Sequence, residues 1–283
     1  MNELDLHELV SKALAEDIGS ADVTTDLVVT PGSRSRAHIV AHERLVLAGT
    51  DAAELAFKQL DPDIKFDPKK PDGTNVEPNE QIAAISGRTA PILSAERVAL
   101  NFLQRMSGIA TLTRRFVEQV EGLNVRIADT RKTTPGLRML EKQAVRAGGG
   151  VNHRAGLYDG ILIKENHLAV VGANGIEHAI ERALTGAHHL MKVEIEVSSV
   201  GAAEAAVRAG AEAVLLDNMA VAEMREAVNR IRNVSEHVII EASGSISLDN
   251  VREVAGTGVD IVSVGKLTHS APAVDISLEI IEG

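Results

Sequence analysis

The stretch ADTRKTTPGLRMLEKQAVRAGGGVNHRAGLYDGILIKENH, residues 128–167, decides how the rest of the chain is read. Residues 125–129 (VRIAD) form a β-branched, apolar run that stops at the polar Thr130-Arg131-Lys132. Residues 160–164 (GILIK) stop in the same way at Glu165-Asn166-His167. Both cationic groups therefore stand at strand ends. Between them Pro135-Gly136 opens a helix over 137–147, Leu137, Leu140, Ala144 and Ala147 share one of its faces, and Gly148-Gly149-Gly150 closes it. Strand, helix and strand in that order predict a parallel βαβ unit, and parallel α/β architectures bind ligands beyond the carboxyl ends of their strands. Arg131, Lys132, His153, Arg154 and Lys164 are clustered there in a chain of formal net charge -11, so an anionic ligand is expected.

Downstream the alternation continues. Strands are read at 192–197 (KVEIEV), 213–216 (AVLL), 238–241 (VIIE) and 261–264 (IVSV), with helices over 176–184, 200–208, 221–232 and 248–254. AGAEAVLLDN and GTGVDIVSVG share a helix-end, turn and strand pattern, a weak sign of a repeated βα unit. This order suits a (β/α) barrel, open or incomplete, better than a helix bundle. A doubly wound sheet is the alternative; it would want a glycine-rich dinucleotide turn, and residues 148–153 fail that spacing and follow no strand.

Upstream, apolar residues from Leu4 to Leu14 recur at helical spacing and end near Gly19. Short strands at 37–41, 45–48 and 81–85, a helix over 51–60 and a charged loop over 61–73 suggest a small α+β sandwich domain. Ser94 is read as the N-cap of the next helix. Ala95, Ala99, Phe102, Leu103 and Met106 make its buried stripe, with Arg97, Asn101 and Arg105 opposite. The expected division is an N-terminal α+β domain over 1–108 and a barrel domain over 109–271, with a final helix over 272–283 packing on the first.

Composition narrows the function. A chain of 283 residues buries roughly three quarters of its unfolded surface without staples. Having no cysteine, it has no thiolate metal site and no catalytic thiol, and it suits a reducing compartment. The start lacks a signal peptide's basic and apolar regions and no run spans a bilayer, so a cytoplasmic protein is expected, with no membrane partner. Acidity, no tryptophan and one tyrosine argue against a nucleic-acid partner.

Each downstream strand ends in a polar group: Thr130-Arg131-Lys132, Lys164, Glu196, Asp217-Asn218, Ser243-Gly244 and Gly265. Singly, such residues read as solvated loop residues; around one ring of strands they converge on one mouth. Glu194 and Glu196 lie on one strand face, and either is a candidate partner for a cation, a metal or a ligand hydroxyl. Ser243-Gly244-Ser245 and Val264-Gly265 offer small residues and backbone N–H groups suited to a phosphate. His153 is read as an anion contact because of its cationic neighbours. No histidine pair has zinc-protease spacing.

The long opening segment, with VEIEV, LLDNM, EASGSIS and SVGKLTHS, resembles the quinolinate phosphoribosyltransferase family over nearly the whole chain. The resemblance implies transfer of phosphoribose from phosphoribosyl pyrophosphate to quinolinate, releasing pyrophosphate and carbon dioxide and giving nicotinate mononucleotide, a step of NAD synthesis. It implies Lys132, Lys164, Glu196 and Asp217 as catalytic residues, with Glu196 chosen over Glu194, and magnesium held by Glu196 and Asp217 largely through substrate and water. Substrate contacts are implied for Arg97, Thr130, Arg131, Lys132, His153, Arg154, Lys164, Glu196, Asp217, Ser243, Gly244, Ser245, Val264 and Gly265. Arg97, which alone reads as a solvated helix arginine, would reach the neighbouring subunit's site in a homodimer or larger assembly. Lys266 stands where the family has a small residue. Two other readings are a related phosphoribosyltransferase with a different acidic acceptor and a non-catalytic phosphosugar-binding barrel.

Overall fold

The structure, a computed structural model, describes residues 3–172 and 175–282. The first part of the chain contains α1 (Glu3–Ile18), α2 (Val23–Val28), β1 (Arg34–Ala41), β2 (Leu45–Val46), α3 (Thr50–Leu60), β3 (Lys65–Pro68), β4 (Asn75–Val76), β5 (Gln81–Arg88) and α4 (Thr89–Gln119). Then come β6 (Arg126–Ala128), α5 (Arg138–Ala147), β7 (Ile161–Ile163), α6 (Glu165–Val171), α7 (Gly175–Gly186), β8 (Val193–Val197), α8 (Val200–Arg208) and β9 (Ala213–Asp217). The chain closes with α9 (Val221–Val234), β10 (Ile239–Ser243), α10 (Val251–Ala255), β11 (Ile261–Ser263), α11 (Lys266–His269) and β12 (Ile276–Glu282). Two compact units divide it: residues 1–114, 139–149 and 270–283, and residues 115–138 and 150–269. No helix among the described residues is long and apolar enough to cross a membrane.

The first unit is built on an antiparallel sheet of order β12-β1-β5-β3. Ser35, Ala37, Ile39 and Ala41 alternate inward along β1, as a half-buried strand requires. The tail expected as a helix is instead the edge strand β12, antiparallel to β1 with Ile276 opposite Ala41. Its sequence explains this: Ile276, Leu278 and Ile280 alternate with Ser277 and Glu279, a period of two. The loop expected over 61–73 contains β3, paired with β5, and Phe66 lies 6.1 Å from the Phe57 ring.

The buried stripe of α4 is as expected, with Ala95, Ala99, Phe102, Leu103 and Met106 inside. Its start is not. The helix begins at Thr89, and the Ser94 hydroxyl donates to Asp22 Oδ2 at 2.8 Å. Asp22 in turn caps α2 by accepting the Thr25 N–H at 3.0 Å. Asp22→Ala removes both bonds and should lower unfolding stability by about 1 kcal/mol in urea melts. Arg105 also departs from its expected solvated face: it donates to Glu141 Oε1 at 3.2 and 2.7 Å, and Glu141 is only 1% exposed.

The second unit holds a six-stranded, wholly parallel sheet of order β6-β11-β10-β9-β8-β7. Its buried residues include Leu162 and Ile163 in β7, Val193 and Ile195 in β8, and Val214 and Leu216 in β9. The expected βαβ unit is corrected here, because β6 and β7 are the two edges of the sheet and not neighbours. After α5 the chain first returns beside β6 through a parallel bridge from Val151 to Ala128, and only then reaches β7. Among the described residues no ladder joins Val151 to β7, so the barrel is open at that edge. The helix over 138–147 falls in the first unit by its contacts, apart from its first residue.

Candidate active site

The strand ends of the second unit carry the groups read from the sequence. After β6, the Lys132 N–H donates to the Thr130 hydroxyl at 3.0 Å, and the Lys132 carbonyl accepts from Thr268 at 2.8 Å. A Cβ on Gly265 would lie 3.1 Å from Lys132 Cδ, so the glycine leaves room for the lysine stem. The loop is braced by Arg138, which donates to the Thr133 hydroxyl at 3.0 Å and to the Ala155 carbonyl at 3.1 Å.

Lys164, at the end of β7, forms an ion pair with Glu196 near the end of β8. Its backbone N–H donates to His167 Nδ1 at 2.8 Å, which accounts for the histidine of KENH as a turn cap. Asp217 ends β9 and accepts from the Asn218 amide at 3.0 Å. Asn218 also accepts from the Ser245 hydroxyl at 3.2 Å, and both residues have positive φ, 51° and 53°. Gly244, with φ of 94°, has no alternative: a Cβ there would stand 2.3 Å from Asn218 Oδ1. The loop after β10 is therefore tightly folded, and α10 begins only at Val251, later than expected. Val264 is 1% exposed, so its side chain belongs to the core, and its N–H donates to the Ala128 carbonyl at 2.9 Å.

The arginines meet inside the same unit. Burial and then the nearby Arg131 push the Arg154 guanidinium below its ordinary pKa, with Glu194 acting against them. Arg131 Nη1 is buried with no hydrogen-bond partner among the described residues. Two crowded cations, one with an unmatched buried donor, constitute a demand for an anion. Arg154 Nη1 donates to the Gly160 carbonyl at 2.8 Å, which fixes one side of its fork.

Family models match both parts of this chain: "Quinolinate phosphoribosyl transferase, N-terminal domain" over residues 22–107 and the corresponding C-terminal domain over 109–279. The chain belongs to the quinolinate phosphoribosyl transferase family. The probable nicotinate-nucleotide pyrophosphorylase [carboxylating] of Bacillus subtilis is 42% identical over 281 residues, covering 99% of this chain and 95% of that one. The Mycobacterium leprae nicotinate-nucleotide pyrophosphorylase [carboxylating] is 40% identical over 276 residues, covering 96% of each. The solved nicotinate-nucleotide pyrophosphorylase of Francisella tularensis superposes with a TM-score of 0.93 at 37% identity, covering 99% of this chain and 97% of that one.

Within this quinolinate phosphoribosyl transferase fold, one expected site residue is placed differently from the sequence reading. The imidazole of His153 is turned into the barrel: its Nε2 lies 3.3 Å from Glu194 and 3.6 Å from Glu241, and its Nδ1 accepts the Arg154 N–H at 2.8 Å. The carboxylates at the barrel interior draw it inward, where the sequence has it facing an anion. With Arg154 it lines a cavity of about 500 Å³ whose wall includes the first residues of three strands, Ala213, Ile239 and Ile261. Lys132, Lys164, Glu196 and Asp217 do not line that cavity. Arg97 is exposed on α4 of this chain.

Glu241 is the residue least visible in the sequence, where VIIE reads as an ordinary strand end. It is 2% exposed, and burial first and Glu194 second raise its pKa to about 7, with His153 opposing them. A carboxyl group raised above its unfolded value favours folding while protonated and loses that contribution as pH rises through the folded value. Glu241→Gln should therefore gain stability over the parent protein at about pH 8.5 and show little gain at about pH 5, read from thermal melts at both.

Proposed function

We propose that this protein transfers the phosphoribosyl group of phosphoribosyl pyrophosphate to quinolinate with decarboxylation, a step in de novo NAD synthesis and a pentosyltransferase reaction. The observation that carries the reading within the family is the Arg131 and Arg154 pair, whose crowded charge and unmatched buried donor suit a dicarboxylate. Each guanidinium is a planar fork that binds a carboxylate bidentately, and unpaired arginines penalise a mono-acid.

In this reading Lys132 and Lys164 lie between the acid and the leaving pyrophosphate, and Ser243-Gly244-Ser245 with Val264-Gly265 and Thr130 receive phosphate and sugar oxygens. Loss of pyrophosphate leaves an oxocarbenium-like ribose carbon that the Glu196 and Asp217 carboxylates stabilise. The pyridine nitrogen closes the new bond, and its positive charge draws the electrons of the adjacent carbon–carboxylate bond into the ring. Carbon dioxide departs and that ring carbon takes up a proton. No protein nucleophile is needed, which accords with a chain without cysteine.

Magnesium belongs to the proposal. Glu196 and Asp217 stand at the ends of the adjacent strands β8 and β9 and supply only oxygen donors, which fits a hard cation completed by substrate oxygens and water. When bound it would neutralise charge on the leaving group. A cytoplasmic setting accords with the absence of cysteine.

The deciding experiment incubates the purified protein with quinolinate, phosphoribosyl pyrophosphate and magnesium and follows nicotinate mononucleotide and carbon dioxide together. Both products, with nicotinic acid inert as acceptor, support the reading; neither product from folded protein overturns it. A homodimer with a shared site is also proposed, supported by the exposed Arg97 on α4. Mixing Arg97→Ala with Glu196→Ala should regain up to about a quarter of parental activity, since one site in a heterodimer would be intact. No regain in verified heterodimers would show that each chain builds its own site.

A further inference from the structure

The group of His153, Glu194 and Glu241 offers three ligand-type atoms within 4.8 Å of one another, which invites a metal reading. The hydrogen bonds decide otherwise. His153 Nδ1 accepts the Arg154 backbone N–H at 2.8 Å and so carries no proton itself. The imidazole proton must then sit on Nε2, which lies 3.3 Å from Glu194 Oε2 and 3.6 Å from Glu241 Oε2. An Nε2 that bears a proton has no lone pair for a metal.

We propose that Glu194, with Glu241 packed beside it, is a positioning residue, which holds His153 as its Nε2–H tautomer so that Nδ1 fixes the Arg154 backbone and the arginine stands ready for the acceptor's carboxylate. The inference rests on the quinolinate reading given above for the identity of the acceptor; the arrangement of the three side chains does not depend on it. A further carboxylate secures the same segment from the other side. Asp129, fully buried, accepts the His153 N–H at 2.8 Å and the Asn152 amide at 2.7 Å. The His153-Arg154 dipeptide is thus held at both backbone N–H groups and at both ring nitrogens. Arg154 meets its ligand already oriented, and His153, neutral in this state, adds no charge of its own.

The geometry also explains why two acids are buried side by side. One Nε2–H cannot serve two ionised carboxylates at equal strength, and Glu241 Oε1 has no hydrogen-bond partner among the described residues. Burial and the neighbouring Glu194 favour the protonated form of Glu241, which removes the like-charge conflict while its other oxygen remains beside the imidazole. The pair then behaves as a single negative charge facing one donor.

The test combines kinetics with ring-nitrogen NMR on the full-length protein. Glu194→Ala should raise KM for quinolinate about tenfold while leaving KM for phosphoribosyl pyrophosphate within about twofold, and kcat should fall less than KM rises. Glu194→Gln, whose amide oxygen can still accept from Nε2–H, should recover most of that loss. In ¹⁵N spectra the parent protein should show one protonated Nε2 and one unprotonated Nδ1 on His153, and Glu194→Ala should lose that slowly exchanging Nε2 proton. A doubly protonated or Nδ1–H His153 in the parent protein would overturn the inference, as would an unchanged quinolinate KM in Glu194→Ala. If the parent protein turns over no quinolinate, the functional reading fails alone, and the nitrogen spectra still decide the tautomer.

Discussion

Arg131→Ala should weaken quinolinate binding by about 2–5 kcal/mol, thirtyfold or more, as expected when one partner of a desolvated charge pair is removed. The physical basis is the mismatch already present in the free protein. Arg131 Nη1 is buried with no acceptor among the described residues, and its charge bears on Arg154. A dicarboxylate resolves both problems at once, because each guanidinium gains an opposite charge and the buried donor gains an oxygen. A merely structural arginine would behave differently. Its loss would lower stability and leave the ligand term nearly untouched. Here the free Arg131→Ala protein should be as stable as its parent or slightly more so, since like-charge pressure on Arg154 falls. Calorimetric titration with quinolinate and urea melts of the free protein separate the two cases. Unchanged affinity together with lost stability would remove Arg131 from the acceptor site.

The parts of the fold that can be read from sequence are those in which burial leaves a continuous trace. AVLL is covered on both faces in a parallel sheet and appears as an unbroken apolar run, KVEIEV alternates Val193, Ile195 and Val197 with the half-buried Glu194 and Glu196, and the two form β9 and β8 within a residue or two of the expected bounds. The strand β3 leaves no such trace: in Lys65-Phe66-Asp67-Pro68 only the phenylalanine is strongly apolar, and its pairing with β5 comes from tertiary context. The return of the chain beside β6 at Val151 is a single bridge after three glycines, too short for any periodicity to register. The tail is a different case, since the period of two in Ile276-Ser277-Leu278-Glu279-Ile280 argues for a strand throughout.

The candidate site divides along the same line. Lys164, Glu196 and Asp217 stand at the ends of recognisable strands, and the structure pairs Lys164 with Glu196 as charge alone would suggest. His153 escapes the sequence because its surroundings come from far along the chain. Nothing in VNHR announces that Glu194 and Glu241 will flank the ring, and a histidine beside an arginine looks like an anion contact until those carboxylates are known. Arg138 is missed for a related reason. It opens an amphipathic helix, and only the folded loop reveals that its fork spans from Thr133 to Ala155.

Glu196→Gln should lower kcat by about 10²–10³-fold, the range seen when one preorganised electrostatic group is removed from a developing charge. The substitution keeps the shape and a hydrogen-bond acceptor for Lys164 but removes the negative charge that would face the ribose carbon as pyrophosphate leaves. Burial makes that charge effective: the Glu196 side chain is 12% exposed, so water screens it poorly, whereas Lys164 at 44% can be solvated if the pairing weakens. Stability should therefore shift by no more than about 1 kcal/mol, because the lysine is not stranded in an apolar interior. Quinolinate affinity should also change little, since Arg131 and Arg154 carry it. Single-turnover measurement of pyrophosphate release, with calorimetry on the same preparation, isolates the charge term. A variant that binds quinolinate normally, melts normally and releases pyrophosphate at the parental rate would show that the Glu196 charge is not used in the transition state, and the electrostatic role would then fall to Asp217.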